Sequence, residues 1–142
     1  MLLLSLLLFI SLSFGKEICL DLKDLGEDPY VAQRLYYHLR NLFLEAGFTL
    51  SCNDKAQKMY AEFSYSETPI SISPKQRVSS YIFYLKVRLN DREFTSSAPY
   101  FVNSSYGEIP KRKAVDEAFG KMKLSVLEYA LELKKHESSR GN

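Results

Sequence analysis

Two segments of the chain, residues 59–65 and 81–89, place an apolar side chain at every second position. Successive side chains of a β-strand point to opposite faces, so this period of two predicts two strands with one apolar face each. The predicted apolar faces consist of Met59, Ala61, Phe63 and Tyr65 in the first segment, and of Tyr81, Phe83, Leu85, Val87 and Leu89 in the second. A sheet built from such strands needs a second layer to cover that face.

Two amphipathic helices are predicted to supply this layer. The first spans residues 29–46, with Asp28 as its N-cap, Pro29 at the first helical position and Gly47 as the residue that ends it. The second begins at about Pro110 and continues to residue 133. In it, Gly120 costs about 1 kcal/mol relative to alanine, and close approach of a neighbouring element would explain its presence.

Three further segments are predicted to be extended, at residues 18–22, 48–52 and 93–102, the last following a turn at 90–91. The predicted fold class is therefore α+β, with a single-layer mixed or antiparallel sheet and two helices packed on one face. The elements follow the order strand, helix, strands, helix. We expect one domain over residues 16–133, followed by a disordered tail over residues 134–142.

Residues 1–15 contain no charged side chain and are mostly apolar. Ser13 and Gly15 occupy the −3 and −1 positions of a cleavage site, which is typical of a secretory signal peptide. A membrane-spanning helix needs about 20 apolar residues, so an uncleaved anchor is the less favoured alternative. We therefore expect an exported protein.

Cys19 and Cys52 are the two cysteines of the chain. In an exported protein two cysteines pair more often than they bind a metal, and the histidines, His38 and His136, lack ligand spacing. We expect a Cys19–Cys52 disulfide and no metal site, with two buried thiols as the alternative. A lipidated Cys19 is disfavoured, because residues 16–18 are not the small-residue approach that lipoprotein cleavage requires.

The polar sides of the predicted strands are not needed for the core, so one sheet face is expected to remain open. Arginine pairs with phosphate through two hydrogen bonds and tyrosine adds apolar contact, a combination that suits the head group of a phosphorylated amphiphile. An ordinary solvated face is the alternative. The candidate residues on this face and in the preceding loop are Tyr60, Tyr84, Lys86, Arg88, Lys75 and Arg77.

A second basic group, Lys111, Arg112 and Lys113, follows Pro110 directly. Cations at a helix N-terminus are disfavoured by about 0.3–1 kcal/mol each, and a bound anion would reverse that penalty. A solvated surface run is the alternative.

No nucleophile, base and orienting group can be assembled from the sequence motifs, and His38 is expected to be structural or at the surface. We predict a protein that is not an enzyme and needs no cofactor. A small periplasmic hydrolase is a remote alternative, for which His38 would have to meet a carboxylate and a hydroxyl group. The net charge of +2 gives no case for nucleic acid as a partner.

The order of elements resembles that of the LPS-assembly lipoprotein LptE family, whose partner is the LptD outer-membrane barrel. Residues 61–67, Ala-Glu-Phe-Ser-Tyr-Ser-Glu, and the long strand at 78–89 are similar to that family's central hairpin, and residues 114–133 are similar to its last helix. The resemblance implies a periplasmic protein at the inner face of the outer membrane. It also implies that the protein sits in an LptD-like barrel, helps the barrel assemble and binds lipopolysaccharide during its delivery to the cell surface. The family's lipidated cysteine is not matched by Cys19.

A second resemblance is to periplasmic α/β domains of the CsgG and LpoB type, which serve secretion or activate cell-wall synthases. It is based on a strand and a helix followed by Gly47-Phe48-Thr49-Leu50 ahead of a hairpin. Both resemblances imply a binding or assembly role.

Overall fold

A computed structural model describes residues 16–24, 28–72, 78–102, 107 and 109–140. The predicted signal peptide, residues 1–15, lies outside these ranges. In chain order the elements are β1 (Glu17–Asp24), α1 (Pro29–Glu45), β2 (Thr49–Leu50), β3 (Gln57–Ile72), β4 (Val78–Leu89), β5 (Arg92–Phe101) and α2 (Ile109–Arg140).

The five strands form one mixed sheet in the order β2-β1-β3-β4-β5. Strand β1 runs parallel to both β2 and β3, whereas β3, β4 and β5 are antiparallel neighbours. Helix α1 provides the crossover between the parallel strands β1 and β2. The predicted α+β class, a mixed sheet covered by two helices, is confirmed.

Strand β3 is much longer than its apolar pattern predicts. Its pairing with β1 ends where Asp24 lies opposite Phe63, but β3 continues to Ile72 because β4 supplies a partner as far as Val78. Strand β5 follows β4 on the other side up to Phe101. We call the end of the sheet where β3 and β5 finish the distal end, and the opposite end, with turns at residues 53–56 and 90–91, the turn end.

The apolar faces of β3 and β4 are buried under the helices, as the period of two predicts. Met59, Phe63, Phe83, Val87 and Leu89 are each 0 % exposed. The helices contribute Val31, Leu35, Leu39, Leu42 and Phe43 from α1, and Ala114, Val115, Ala118, Phe119, Met122 and Val126 from α2. Burying a large apolar side chain stabilises a fold by about 1.5–3 kcal/mol, so this core determines which face of the sheet stays open.

The two helices run parallel, and both begin at the distal end. Near the start of α2, Lys111 contacts Asp28, the N-cap of α1, and farther along, Lys134 Nζ lies 3.4 Å from the carbonyl oxygen of Ala46 and 3.5 Å from that of Gly47. Helix α2 continues to Arg140, so it extends into the segment for which the sequence predicts a disordered tail. The carbonyl groups at the C-terminus of α1 attract the Lys134 ammonium group, which keeps this part of α2 against the fold.

Gly47 ends α1 with a φ of 93°, the left-handed conformation predicted for it. Gly120, in contrast, faces open space, so no neighbouring element lies close enough to exclude a larger side chain there. No helix in the described part of the chain contains a run long and apolar enough to span a membrane.

Candidate functional site

The open face is the side of the sheet that the helices leave uncovered. Tyr60 on β3 and Tyr84, Lys86 and Arg88 on β4 are exposed there, on the side where the sequence places them. Their orientation follows from the buried residues between them, because neighbours along a strand point to opposite faces. Lys75 and Arg77, the other two residues predicted for this site, lie outside the described residues.

A shallow groove of about 370 Å³ crosses the open face around Lys86. Short side chains of Ser64, Ser66 and Thr95 lie beside the long ones of Tyr84 and Lys86, which leaves the depression between them. The other lining residues, Tyr65, Leu85 and Ser96, alternate with these and point toward the helices, so their main-chain atoms form the floor. The groove therefore offers hydroxyl groups, a tyrosine ring and one ammonium group.

Lys86 supplies the positive charge of this groove. In the strand register it lies between Ser64 of β3 and Thr95 of β5, so neither adjacent strand places a carboxylate directly opposite it, and the nearest ones, Glu62 and Glu93, are diagonal neighbours. Within the described ranges it forms no ion pair. An anion in the groove would meet an ammonium group that has no ion-pair partner in the described part of the chain.

Arg88 is in a different electrostatic environment from Lys86. Its register neighbours are Glu62 of β3 and Glu93 of β5. Side chains directly opposite each other in antiparallel strands have Cβ atoms roughly 4.5–5.5 Å apart, so both carboxylates lower the positive potential around Arg88, although no Arg88 ion pair is present in the described part of the chain. Arg88 is thus a weaker candidate for binding an anion than its sequence position predicts.

The two predicted tyrosines are not part of one site. Tyr84 lies next to Lys86 and lines the groove, whereas Tyr60 lies near the turn end, where its amide donates to Asn90 Oδ1 over 3.0 Å. Six residues separate their levels along the strands, which corresponds to roughly 20 Å. A single head group contacts one of them, and the groove favours Tyr84.

Lys111 belongs to an internal network. Its Nζ lies 3.2 Å from Asp28 Oδ2 and 2.8 Å from Glu67 Oε1. Burial lowers the pKa of Lys111, but the hydrogen bonds to Glu67 and Asp28 outweigh it, so the pKa is raised. Tyr100 adds a hydrogen bond of 2.6 Å from its hydroxyl group to Glu67 Oε2, and the Tyr65 hydroxyl group accepts from the Asp28 amide over 2.7 Å. This network links α1, β3, β5 and α2.

The three consecutive cations of α2 therefore do not form a common anion site. Lys111 is neutralised by two carboxylates, the Arg112 guanidinium carbon lies 4.2 Å from the ring centroid of Tyr30, and Lys113 is exposed at the sheet edge. A helix turns by about 100° per residue, so consecutive side chains point in different directions. Of these three, Arg112 and Lys113 remain available to an external group.

A second network, which no sequence motif indicates, joins the helices through Asp116. Arg34 donates to both carboxylate oxygens over 2.7 and 3.0 Å, and His38 Nε2 lies 2.7 Å from Oδ1. The His38 ring stacks on Phe119 with centroids 5.0 Å apart. Burial raises the pKa of Asp116, but the hydrogen bonds from Arg34 and His38 outweigh it, so the pKa is lowered.

His38 thus meets a carboxylate, one of the two partners that a hydrolase would require. The group that completes the cluster is the Arg34 guanidinium, which stays protonated and is not a nucleophile. Arg34 and His38 are four residues apart on one side of α1, a spacing the sequence does show. Their partner lies 82 and 78 residues away, so no local pattern could identify it.

The structure contains the Cys19–Cys52 disulfide that the sequence favours, with the Cα atoms 4.6 Å apart. It links β1 to the segment that follows β2, at the edge of the sheet. In the described part of the chain, no three His, Cys, Asp or Glu side chains are grouped so that they could hold a metal ion.

No known family model matches the sequence. An uncharacterized protein of Aquifex aeolicus (strain VF5) is 42 % identical over 118 residues, which cover 82 % of this chain and 85 % of that protein. Among solved structures, a minor lipoprotein from Acinetobacter baumannii has a TM-score of 0.53 at 13 % identity, covering 80 % of this chain and 94 % of the lipoprotein.

A homologue of neuraminyllactose-binding hemagglutinin from Helicobacter pylori has a TM-score of 0.51 at 10 % identity, covering 91 % and 92 % of the two chains. At such low identity these likenesses show a shared fold. The fold of this chain is therefore one that a bacterial lipoprotein also adopts.

Proposed function

This chain belongs to the same family as the Aquifex aeolicus protein, and we propose that it is an exported, non-enzymatic protein of the bacterial cell envelope. In this proposal it binds lipopolysaccharide on its open face and acts with an LptD-like β-barrel at the inner face of the outer membrane. The fold shared with a bacterial lipoprotein supports an envelope role. The Arg34–Asp116–His38 cluster supports a role without catalysis, because its third member is a guanidinium group rather than a nucleophile.

The observation on which the ligand proposal depends is the unpaired ammonium group of Lys86 in the groove. Serine and threonine hydroxyl groups beside it can donate hydrogen bonds to phosphate oxygens, and the Tyr84 ring can contact the sugar or the start of an acyl chain. The phosphorylated head group of lipopolysaccharide combines these chemical features. The face is large and shallow, which suits a broad amphiphile better than a small metabolite.

The first test measures binding of lipopolysaccharide to the purified chain, with wild type compared with Lys86→Glu. Charge reversal in the groove removes an attraction and adds a repulsion, so we expect affinity to fall on the order of tenfold or more. Arg88→Glu should have a smaller effect, since Glu62 and Glu93 lie directly opposite Arg88 and Arg88 does not line the groove. Arg40→Glu, which replaces an exposed cation on α1, is the matched control and should bind like wild type.

Equal affinities of wild type and Lys86→Glu for lipopolysaccharide would exclude the groove as the binding site. The barrel is tested separately by co-purification from detergent-solubilised envelopes, followed by mass spectrometry of the captured proteins. An LptD-like barrel is the expected partner. Capture of a cell-wall synthase without a barrel would contradict the proposal and favour the CsgG and LpoB type of role.

A further inference from the structure

The distal end of the molecule exposes a group of large apolar side chains that the proposed function does not use. Phe101 is 72 % exposed, Ile70 is 50 % exposed, and Val102 and Ile109 are each 49 % exposed. They come from the ends of β3 and β5, the residue after β5 and the first position of α2. Solvent exposure of four such side chains at one end of a small protein is unfavourable unless something covers them.

The strand register shows that these side chains are neighbours. Ser80 of β4 pairs with Ser71 of β3 on one side and with Phe101 of β5 on the other, so Ile70 and Phe101 lie roughly 10 Å apart across the sheet. Phe101 and Ile109 line the same depression of about 420 Å³, between the end of β5 and the first turns of α2. Phe101 and Ile109 therefore form one exposed apolar surface, with Ile70 at the same end of the sheet.

Two cations, Arg112 and Lys113, border this surface, and neither forms an ion pair in the described part of the chain, although Glu117 also lines the depression. Lys113 lines the same depression, and Arg112 lies over the exposed ring of Tyr30. The nearby acids have other partners. Asp28 and Glu67 both contact Lys111, and Glu117 Oε1 lies 3.8 Å from Lys121 Nζ. The described part of the distal end thus combines exposed apolar side chains with two cations that form no ion pair, Arg112 and Lys113.

The turn end exposes polar side chains in its described turns. Its turns contain the exposed polar residues Asn53, Asp54, Lys55 and Asp91, together with the half-buried Asn90. Apolar tips, an interfacial tyrosine and neighbouring cations are the features with which proteins bind the surface of an anionic bilayer.

We propose that the distal end is a membrane-contact surface that inserts Phe101, Ile109 and their apolar neighbours into the interface of an anionic lipid bilayer. Arg112 and Lys113 then face the lipid phosphates, and the Tyr30 ring lies at head-group depth. The strands stand away from the bilayer, which leaves the open face accessible along the side of the molecule. This inference does not depend on the proposed role of the groove.

The test is co-sedimentation of the purified chain with vesicles of phosphatidylethanolamine and phosphatidylglycerol, free of lipopolysaccharide. Wild type should bind these vesicles, and bind vesicles of phosphatidylcholine alone more weakly. The double variant Phe101→Ser/Ile109→Ser should lower the partition coefficient on the order of tenfold, because two exposed apolar side chains no longer enter the interface. Leu124→Ser is the matched control, since Leu124 is 68 % exposed on α2 away from the distal end and should be neutral.

Charge is tested by Lys113→Glu, which should weaken binding to the anionic vesicles by about fivefold or more. Lys55→Glu, at the turn end, should leave binding unchanged. Failure of wild type to bind the anionic vesicles would overturn the proposal, as would equal binding by the serine double variant or an equal loss in Leu124→Ser. Circular dichroism of each variant verifies that the fold is retained.

The groove proposal and the membrane-contact proposal can be refuted independently of each other. The serine double variant should still bind soluble lipopolysaccharide, whereas Lys86→Glu should still bind the phosphatidylglycerol vesicles. Loss of both activities in the serine double variant, with its fold intact, would contradict a separate membrane surface.

Discussion

At the scale of single residues, Gly120 is a glycine that the structure does not require. It lies inside α2, is exposed, and has no atom of another element near the place where a Cβ would be. A glycine inside a helix favours close approach of a neighbouring element, and that expectation is wrong at Gly120. The glycine therefore contributes only its entropic cost in a helix.

We expect Gly120→Ala to raise the free energy of unfolding by about 0.5–1 kcal/mol, because alanine loses less backbone entropy on folding. Urea denaturation followed by circular dichroism measures this change. Gly47→Ala is the contrasting variant, since Gly47 has a φ of 93° and lies against Lys134, and it should be destabilising. A Gly120→Ala protein less stable than wild type would refute this account of α2.

Asp116 makes a pH-dependent contribution to stability. Its pKa in the folded protein is lowered from the usual 3.8, so the ionised carboxylate stabilises the fold above that pH. This contribution is lost as the pH falls through the folded-state pKa. The side chains of Asp116 and Arg34 are 37 % and 38 % exposed, so solvent screening keeps the effect small.

We expect Asp116→Asn to lower the free energy of unfolding by about 1 kcal/mol at neutral pH, and the difference from wild type to shrink below pH 3.8. Denaturation midpoints across this pH range measure it. Glu117→Gln, one residue farther along α2, is the control and should remain within about 0.5 kcal/mol of wild type. A difference between wild type and Asp116→Asn that does not change with pH would rule out the carboxylate charge as the cause.

At the scale of elements, the weakest part of the sheet is β2, which has two residues and pairs with β1 through Glu17–Thr49 and Ile18–Leu50. A strand this short gains little from its own hydrogen bonds. The disulfide between Cys19 and Cys52 holds it beside β1. Covalent closure of this segment compensates for the small number of ladder bonds.

Replacing both cysteines by alanine is expected to lower the free energy of unfolding by roughly 2–4 kcal/mol, because the bond closes a loop between residues 33 positions apart. A reducing agent should lower the wild-type denaturation midpoint by a similar amount and leave the alanine variant unchanged. Hydrogen exchange should increase first at residues 17–18 and 49–50. An unchanged wild-type midpoint under reducing conditions would show that the bond does not stabilise this edge.

At the scale of the whole molecule, the parallel helices begin at the distal end and cover one face of the sheet. The groove around Lys86 lies on the other face, and the exposed apolar group lies at the distal end. Lys86 is level with Thr95, six residues from Phe101 along β5, which corresponds to roughly 20 Å. The two surfaces are far enough apart for their effects on binding to be measured separately.

The sequence by itself determined the features that depend on local periodicity and on residue chemistry. Alternation in β3 and β4 identified both the buried face and the exposed Tyr84, Lys86 and Arg88, because the direction of a strand side chain depends only on its position. Asp28, Pro29 and Gly47 marked the limits of α1, because capping depends on the neighbouring backbone groups.

Only the tertiary structure decided which charges pair and which side chains come together. In the sequence, Lys111 belongs to a basic run, but in the fold it contacts Asp28 and Glu67. Arg88 and Lys86 are equivalent in the sequence pattern, but the strand register places Glu62 and Glu93 directly opposite Arg88 only. Phe101 and Ile109 also come together only in the fold, because β5 ends and α2 begins at the same end of the sheet. Such contacts join residues distant in sequence, and their energies depend on the relative positions of whole elements, which no local pattern encodes.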